Sequence, residues 1–159
     1  MKITADTNVL VRAAVQDDLL QAGQAMQVLQ EAQLVAIPLP TFCEFVWVLA
    51  RGYKKPAAGI ANAITQLINC RNVATNRPAV EAGLATLQAG GDFADGVIAY
   101  AGNELGAEDF VSLDQKAVAI MQSQGKSARL LSERNPPASR ILQQERAQYT
   151  VKMAEKIRK

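Results

Sequence analysis

Apolar residues along this chain fall into short runs that alternate with longer segments in which they recur every three to four positions. Short apolar runs predict buried strands, and the helical recurrence predicts amphipathic helices. The predicted strands lie near residues 2–5, 34–37, 72–74, 109–113 and 127–131. The predicted helices lie near residues 18–32, 41–52, 57–69, 78–89, 92–104 and 115–124. This alternation predicts an α/β fold with a central, mostly parallel sheet that helices cover on both faces.

The segment Asn135-Pro136-Pro137 follows the last predicted strand and predicts a boundary in the chain. Beyond it we expect a final amphipathic helix, with an apolar stripe formed by Leu142, Tyr149, Met153 and Ile157. The chain is therefore expected to comprise one domain, residues 1–131, and a C-terminal helical extension, residues 132–159.

Charge is distributed unevenly between the two parts of the chain. Residues 1–125 carry 8 basic and 12 acidic residues, whereas residues 126–159 carry 9 and 3, within a net charge of +2. The basic C-terminal charge fits either the solvated face of a helix or attraction to a polyanion or an acidic surface.

The amino-acid composition excludes several kinds of catalytic and metal site. A chain of 159 residues with 49% hydrophobic and 20% charged residues is typical of one soluble globular domain. The absence of histidine excludes Ser-His-Asp triads, Cys/His pairs and zinc sites that contain histidine. Cys43 and Cys70 lack a metal-type spacing, so buried free thiols are expected. The N-terminus lacks the apolar stretch of a signal peptide, which predicts a cytoplasmic protein.

Acidic residues stand where the predicted elements meet. Asp6 directly follows the first strand and Asp114 the fourth, whereas Glu44 begins the helix after the second strand. Asp95 opens a further helix, with Asp92 one turn before it. Because ligands of parallel α/β sheets collect at the carboxyl edge, these five carboxylates should gather there. Their oxygens suit a hard cation, Mg²⁺ or Mn²⁺, better than Zn²⁺.

Four of these acids also have a structural explanation. Thr41-Phe42-Cys43-Glu44 matches a capping box after Pro40, with Glu44 at the third helical position. Asp92 fits the N-cap of its helix with Asp95 as the third residue, and Asp114 fits the start of the next helix.

Asp6 is harder to explain by structure alone. Asp6-Thr7-Asn8 leads directly into Val9-Leu10-Val11, so a buried carboxylate is expected there. The first basic residue after it is Arg12, which leaves a metal or a network of hydroxyls and amides to satisfy the charge.

The four motifs together resemble a known family. ADTNVLVR contains Asp6, PTFCEFVWVL contains Glu44, DFADGVIAYA contains Asp95, and FVSLD ends at Asp114. In this order and at these separations, they resemble the PIN-domain ribonucleases, especially toxins of the VapC type. The resemblance covers about residues 1–131 and implies a PIN-like three-layer α/β/α sandwich. The 28 residues after Leu131 are longer than the family pattern.

The resemblance implies a metal-dependent endoribonuclease that uses Mg²⁺ or Mn²⁺. Its acidic site falls on Asp6, Glu44, Asp95 and Asp114, with Asp92 as an accessory carboxylate. Ser112 matches a small hydroxyl of the family, and Asn8 matches a polar residue that would orient a neighbouring carboxylate or water. Hydrolysis would leave a 5′-phosphate and a 3′-hydroxyl. The candidate contacts to the RNA backbone are Arg12, Arg51, Lys54, Lys55 and Lys116.

A toxin of this type implies a cognate antitoxin protein that covers the active site, and a homodimer. Trp47 and Tyr53 are candidates for such an interface, although core packing is the favoured interpretation of Trp47. With eight aromatic residues in the chain, extensive stacking on RNA bases is not expected.

Two other functional classes stay open. One is a non-catalytic RNA- or protein-binding module, in which the same acids hold a metal or cap helices. The other is a phosphoacceptor signalling domain, which also gathers carboxylates at the carboxyl edge of a parallel sheet. Metal-dependent cleavage that disappears with Asp6→Asn would exclude the first, and stable phosphorylation by a small phosphodonor would favour the second.

Overall fold

A computed structural model describes residues 1–131 and 140–157. The strands are β1 (Lys2–Thr4), β2 (Leu34–Ala36), β3 (Val73–Ala74), β4 (Phe110–Ser112) and β5 (Ala128–Leu130). The helices are α1 (Thr7–Val15), α2 (Leu19–Glu31), α3 (Leu39–Trp47), α4 (Ala57–Ile68), α5 (Arg77–Gln88), α6 (Phe93–Glu104), α7 (Gln115–Ser123) and α8 (Arg140–Ile157). A π-helical segment, Val48–Gly52, continues α3. The α/β class and all five predicted strands are confirmed.

The strands form two parallel sheets, not the single central sheet that the pattern predicted. One sheet has the order β1-β2-β3, and the other pairs β4 with β5. Val35 of β2 lies between Ile3 and Val73, and Val111 of β4 pairs with Arg129 of β5. Each strand has only two or three residues, so few ladder hydrogen bonds hold either sheet together. Helix packing therefore supplies most of the cohesion of the fold.

The hydrophobic core lies between the three-stranded sheet and the helices that follow its strands. Phe42 and Phe45 of α3 and Phe93 of α6 are fully buried in it. The second sheet is backed by α7, which contacts both β4 and β5 and buries Met121. In the described part of the chain, no helix has both the length and the apolar character that crossing a bilayer requires.

Helix α1 is a helix that the sequence pattern did not predict. Its buried residues Thr7, Leu10 and Val11 have the spacing of one helical face. The β-branched residues on either side of Leu10 are typical of a strand. The segment forms a helix because that places its buried residues on one face. The expected buried carboxylate at Asp6 is also wrong, because Asp6 precedes the helix and is exposed to solvent.

Helix α3 begins earlier than the capping-box pattern predicted. Pro38 occupies the N-cap position and the helix starts at Leu39, so Glu44 lies in its second turn. The capping box is therefore wrong, and Glu44 does not cap this helix. The cysteines are free as expected, but neither is fully buried: Cys43 is partly buried and Cys70 is exposed.

Helix α8 confirms a helix in the C-terminal extension. All of residues 148–156, including Tyr149 and Met153, are exposed. This stretch is therefore not buried against the described part of its own domain. The predicted boundary at Asn135-Pro136-Pro137 and the side chains of Leu142 and Ile157 lie outside the described part of the chain.

Candidate functional site

Three of the five predicted carboxylates line one open cleft of about 360 Å³. Asp92 and Asp95 reach it from the start of α6, and Asp114 reaches it from the start of α7. The wall facing them comes from the end of α3 and the π-helical segment. Two basic residues, Arg51 and Lys116, line the same cleft. We call this surface the aspartate cleft.

Asp92 and Asp114 both cap helices, as predicted. The backbone N–H of Ala94 donates to Asp92 Oδ1, with 3.1 Å between nitrogen and oxygen. The N–H groups of Lys116 and Ala117 donate to Asp114 Oδ1 at 2.9 and 3.2 Å. In both residues, Oδ2 makes no hydrogen bond with the described residues. Capping and ligand binding therefore do not exclude each other, since one oxygen anchors the side chain and the other has no hydrogen-bond partner among the described residues.

The pKa of Asp95 depends on its burial and on the other two acids. Its side chain is partly buried, and burial raises its pKa above the ordinary value for aspartate. The negative charges of Asp92 and Asp114 raise this pKa further. The three carboxylates are therefore close enough to repel one another, and a cation in the cleft would relieve that repulsion.

Close packing of α5 on α6 fixes the position of Asp95. A Cβ atom added at Gly96 would overlap the carbonyl oxygen of Ala82 and lie 2.5 Å from Thr86 Oγ1. A Cβ added at Gly83 would lie 2.6 Å from the ring of Phe93. The two helices can approach this closely only because both positions are glycine. Sequence reasoning had not singled out either glycine, although Gly96 directly follows Asp95.

Ser112 lies where the sequence placed it, two residues before Asp114. Its Oγ accepts a hydrogen bond from the backbone N–H of Asp114, with 3.0 Å between the atoms. This bond shapes the turn between β4 and α7. Ser112 therefore helps to position the Asp114 backbone at the carboxyl end of the strand.

Glu44 is held by a residue that sequence reasoning missed. Thr7 Oγ1 donates to Glu44 Oε2 at 2.7 Å, and Thr7 is only 6% exposed. The bond joins the start of α1 to α3. Next to Glu44, the pKa of the Cys43 thiol is raised by burial and then by the charge of Asp92, so this part of α3 lies near the start of α6.

Asp6 and Glu44 do not line the aspartate cleft in the described structure. Asp6 occupies the N-cap position of α1, but its side chain makes no capping hydrogen bond. Asn8 is exposed and lines a different groove, formed by α1 and α2, together with Arg12. The structure thus brings three acids together and places the other two on the adjoining elements α1 and α3.

The predicted basic contacts lie in three places. Arg51 and Lys116 line the aspartate cleft. Arg12 lies in the other groove and donates to Asp17 Oδ1 at 2.8 Å, and Asp17 also accepts a hydrogen bond from Tyr53. Lys54 and Lys55 are exposed just beyond the π-helical segment.

Trp47 is the clearest correction among the aromatic residues. It is 65% exposed and lines the aspartate cleft, so the expected core packing is wrong. The exposure of Trp47 could have been predicted from the spacing of apolar residues in the sequence. Phe42, Phe45, Val46 and Leu49 form the buried face of this region at helical spacing. Trp47 falls outside that face.

No group of three or more His, Cys, Asp or Glu side chains in the described residues is arranged so that it could hold a metal ion. Two other clefts formed by the described residues are larger. One, of about 500 Å³, lies between the C-terminal part of α6, strand β4 and the residues just before β5, and none of the predicted site residues line it. The other, of about 640 Å³, is the groove between α1 and α2 that Asn8 and Arg12 line. The aspartate cleft is therefore the candidate site because of its charges. Comparison with protein-family models and with curated proteins found no match for the chain.

Proposed function

We propose that this protein is a metal-dependent endoribonuclease with a PIN-like fold, the toxin of a toxin–antitoxin pair. The observation that supports this most is the convergence of Asp92, Asp95 and Asp114 on one cleft, in a chain without histidine. The cleft also contains Arg51 and Lys116, which suit the phosphates of a nucleic-acid substrate. The order of the sequence motifs agrees with this proposal.

The donor set of the cleft suits Mg²⁺ or Mn²⁺. All the candidate ligands are carboxylate oxygens, which hard cations prefer. Mg²⁺ usually takes only one or two carboxylates and keeps water or substrate phosphate as its other ligands, so a three-carboxylate cage is not required. Asp95 and Asp114 are the proposed ligands in the cleft, with Asp92 accessory. Asp6 and Glu44 lie outside the lining of the cleft, on α1 and α3, and their part in the proposed site rests on the sequence resemblance. When bound, the ion would make water a better nucleophile and offset charge on the phosphoryl group.

Residues in and around the cleft would position the carboxylates and bind the RNA backbone. Asp92 and Asp114 are anchored by their helix caps, so their carboxylates would be held in place before substrate binds. Thr7 would keep the Glu44 carboxylate oriented through its hydrogen bond. Arg51 and Lys116 would hold the RNA backbone against the otherwise negative cleft. A cognate antitoxin, a homodimer and a cytoplasmic location belong to the same proposal.

Cleavage of RNA tests the proposal directly. Purified protein is incubated with mixed cellular RNA and Mg²⁺ or Mn²⁺, and the new 5′ ends are mapped. We expect defined cleavage sites that EDTA abolishes. Asp114→Asn and Asp6→Asn should each reduce the cleavage rate by about 10²-fold or more, by analogy with lost ligands and oriented charges. Full activity in either folded variant would contradict the assignment of that residue.

Asp18→Asn is a matched control. Asp18 also caps a helix, through a 3.0 Å hydrogen bond from the backbone N–H of Gln21, but it lies at the start of α2. Asparagine caps about as well as aspartate, so both variants lose one negative charge and keep a cap. Cleavage should survive in Asp18→Asn and fail in Asp114→Asn.

A non-catalytic RNA-binding module is the second candidate. One observation favours it, since Asp92, Asp114 and Glu44 all have hydrogen bonds that explain them structurally. Such a module would bind RNA but leave it intact at every concentration of Mg²⁺ or Mn²⁺. The same cleavage assay therefore separates the two candidates.

A further inference from the structure

Trp47 is the only tryptophan in the chain, and its side chain is largely in solvent. Burying a large aromatic side chain in a core normally stabilises a protein, and Trp47 forgoes most of that stabilisation. Exposure alone does not mark a site, because Leu105 is 89% exposed at the end of α6. The position of Trp47 distinguishes it, since it lines the cleft that also contains Asp95 and Asp114.

The backbone around Trp47 brings a cation to the same wall. The π-helical segment Val48–Gly52 begins at the next residue and contains Arg51. π-helical turns inside α-helices occur frequently at functional sites, and here the wider turn lies between the two side chains. Both Trp47 and Arg51 line the cleft, and Lys116 lines it from α7. An aromatic face, two cations and three carboxylates thus share one open surface.

We infer that Trp47 is a stacking platform for an unpaired base of single-stranded RNA whose phosphates contact Arg51 and Lys116. This inference rests on the proposed function, because the RNA is taken to be the substrate of the aspartate cleft. Every base has a π face, so one tryptophan can hold a base without reading its identity. Arg51 and Lys116 supply the charge that attracts the backbone.

The same arrangement excludes a continuous duplex as the preferred ligand. In an RNA helix both faces of an internal base are covered by its neighbours, so a tryptophan cannot stack on it. An unpaired base in a loop, bulge or end can be splayed out onto the ring. The inference therefore narrows the substrate class to single-stranded or looped RNA. Trp47 would act as a positioning residue that places the phosphodiester near the aspartates.

Intrinsic fluorescence offers a test that does not depend on cleavage. Because Trp47 is the only tryptophan, the tryptophan emission of the protein reports on this one ring. The full chain carrying Asp95→Asn is titrated in Mg²⁺ with a single-stranded RNA oligonucleotide, and then with the same sequence in a duplex. We expect saturable quenching by the single strand and little quenching by the duplex at equal concentration.

Variants at Trp47 separate stacking from other roles. Affinity for the labelled single strand is measured by fluorescence anisotropy in the same Asp95→Asn background. Trp47→Leu, which is apolar but not aromatic, should weaken binding by roughly 5- to 150-fold, the range for loss of one stacked base. Trp47→Phe should recover part of that loss. Leu105→Ala, which removes another exposed apolar side chain, should bind like the Asp95→Asn background.

The outcomes keep this inference distinct from the proposed function. Quenching and anisotropy that behave as expected in a protein that cleaves no RNA would support the stacking site and defeat the nuclease. RNA cleavage with unchanged affinity in Trp47→Leu would support the nuclease and overturn the stacking site. If Trp47→Leu changed the molecular mass measured by light scattering but left the RNA affinity unchanged, the stacking site would also be overturned and Trp47 would be assigned to a protein interface.

Discussion

Replacing Gly96 by alanine should destabilise the protein and disturb the aspartate cleft. Gly96 is buried where α6 crosses α5, one residue after Asp95. The new Cβ would overlap the carbonyl oxygen of Ala82 and lie 2.8 Å from the Cα of Gly83. Because both of these are backbone atoms, rotation of a side chain cannot relieve the overlap, and the two helices must move apart.

The expected loss of stability is the difference between two opposing effects. Overpacking in a core costs about 1–3 kcal/mol, and contact with backbone atoms places this case near the upper end. Alanine in a helix interior gains about 1 kcal/mol over glycine. The net loss is then about 2 kcal/mol, which in a chain of 159 residues corresponds to a fall in Tm of about 4–8 °C.

Gly23→Ala provides the matched control. Gly23 lies inside α2, and a Cβ added there would meet nothing within 4 Å. The substitution gains the same helical preference without the overlap, so Tm should rise by about 2–4 °C. Thermal unfolding followed by circular dichroism measures both variants. A Gly96→Ala protein that melts at or above the wild-type temperature would refute the close packing of α5 on α6.

Three further predictions follow from the same structure. In EDTA, Asp95→Asn should raise the free energy of unfolding at neutral pH, measured by urea denaturation. The pKa of Asp95 is raised in the folded state, so the wild-type protein loses stability as the pH rises from the ordinary aspartate pKa, about 3.9, through the raised pKa. The two proteins should therefore differ in the free energy of unfolding above the raised pKa and converge below a pH of about 3.9. Glu44→Gln keeps an acceptor for the Thr7 hydroxyl but loses the charge, so folding should be nearly unchanged while the cleavage rate falls by about 10²-fold. Thr7→Val removes the hydrogen bond and should lower the free energy of unfolding by about 1 kcal/mol. Retained cleavage in Glu44→Gln would make the role of Glu44 structural only. Deleting residues 135–159 should alter the molecular mass in light scattering, or the solubility, more than the cleavage rate, since residues 148–156 are exposed to solvent. Unchanged mass with weaker, less salt-dependent RNA binding would make this segment an RNA-binding arm.

The sequence predicted the elements well where hydrophobic spacing and turn residues agreed. All five strands were predicted, and Asp92 and Asp114 were placed at helix starts, where both cap as expected. The start of α7 could be inferred for the same reason, because a strand end, a capping aspartate and a helical stripe indicate one boundary.

The missed features depend on packing between distant segments. Thr7 reaches Glu44 across 37 positions of the chain, and no local pattern specifies that pair. Gly96 looks like an ordinary helical glycine until α5 is placed against it. The exposure of Trp47 could have been inferred from the buried stripe of α3, but large aromatic residues are buried so often that composition outweighed periodicity. The split of the strands into two sheets likewise has no signal in the individual strands.

The chemistry of the RNA ends is the most direct test of the central claim. Hydrolysis assisted by a carboxylate-held ion would break the bond between phosphorus and the 3′ oxygen, and would leave a 5′-phosphate on one fragment and a 3′-hydroxyl on the other. We therefore expect the fragments made by the wild-type protein in Mg²⁺ or Mn²⁺ to be substrates for a 5′-phosphate-dependent ligase, and Asp114→Asn to yield almost none. Fragments that end in a 2′,3′-cyclic phosphate, formed equally well in EDTA, would contradict the account.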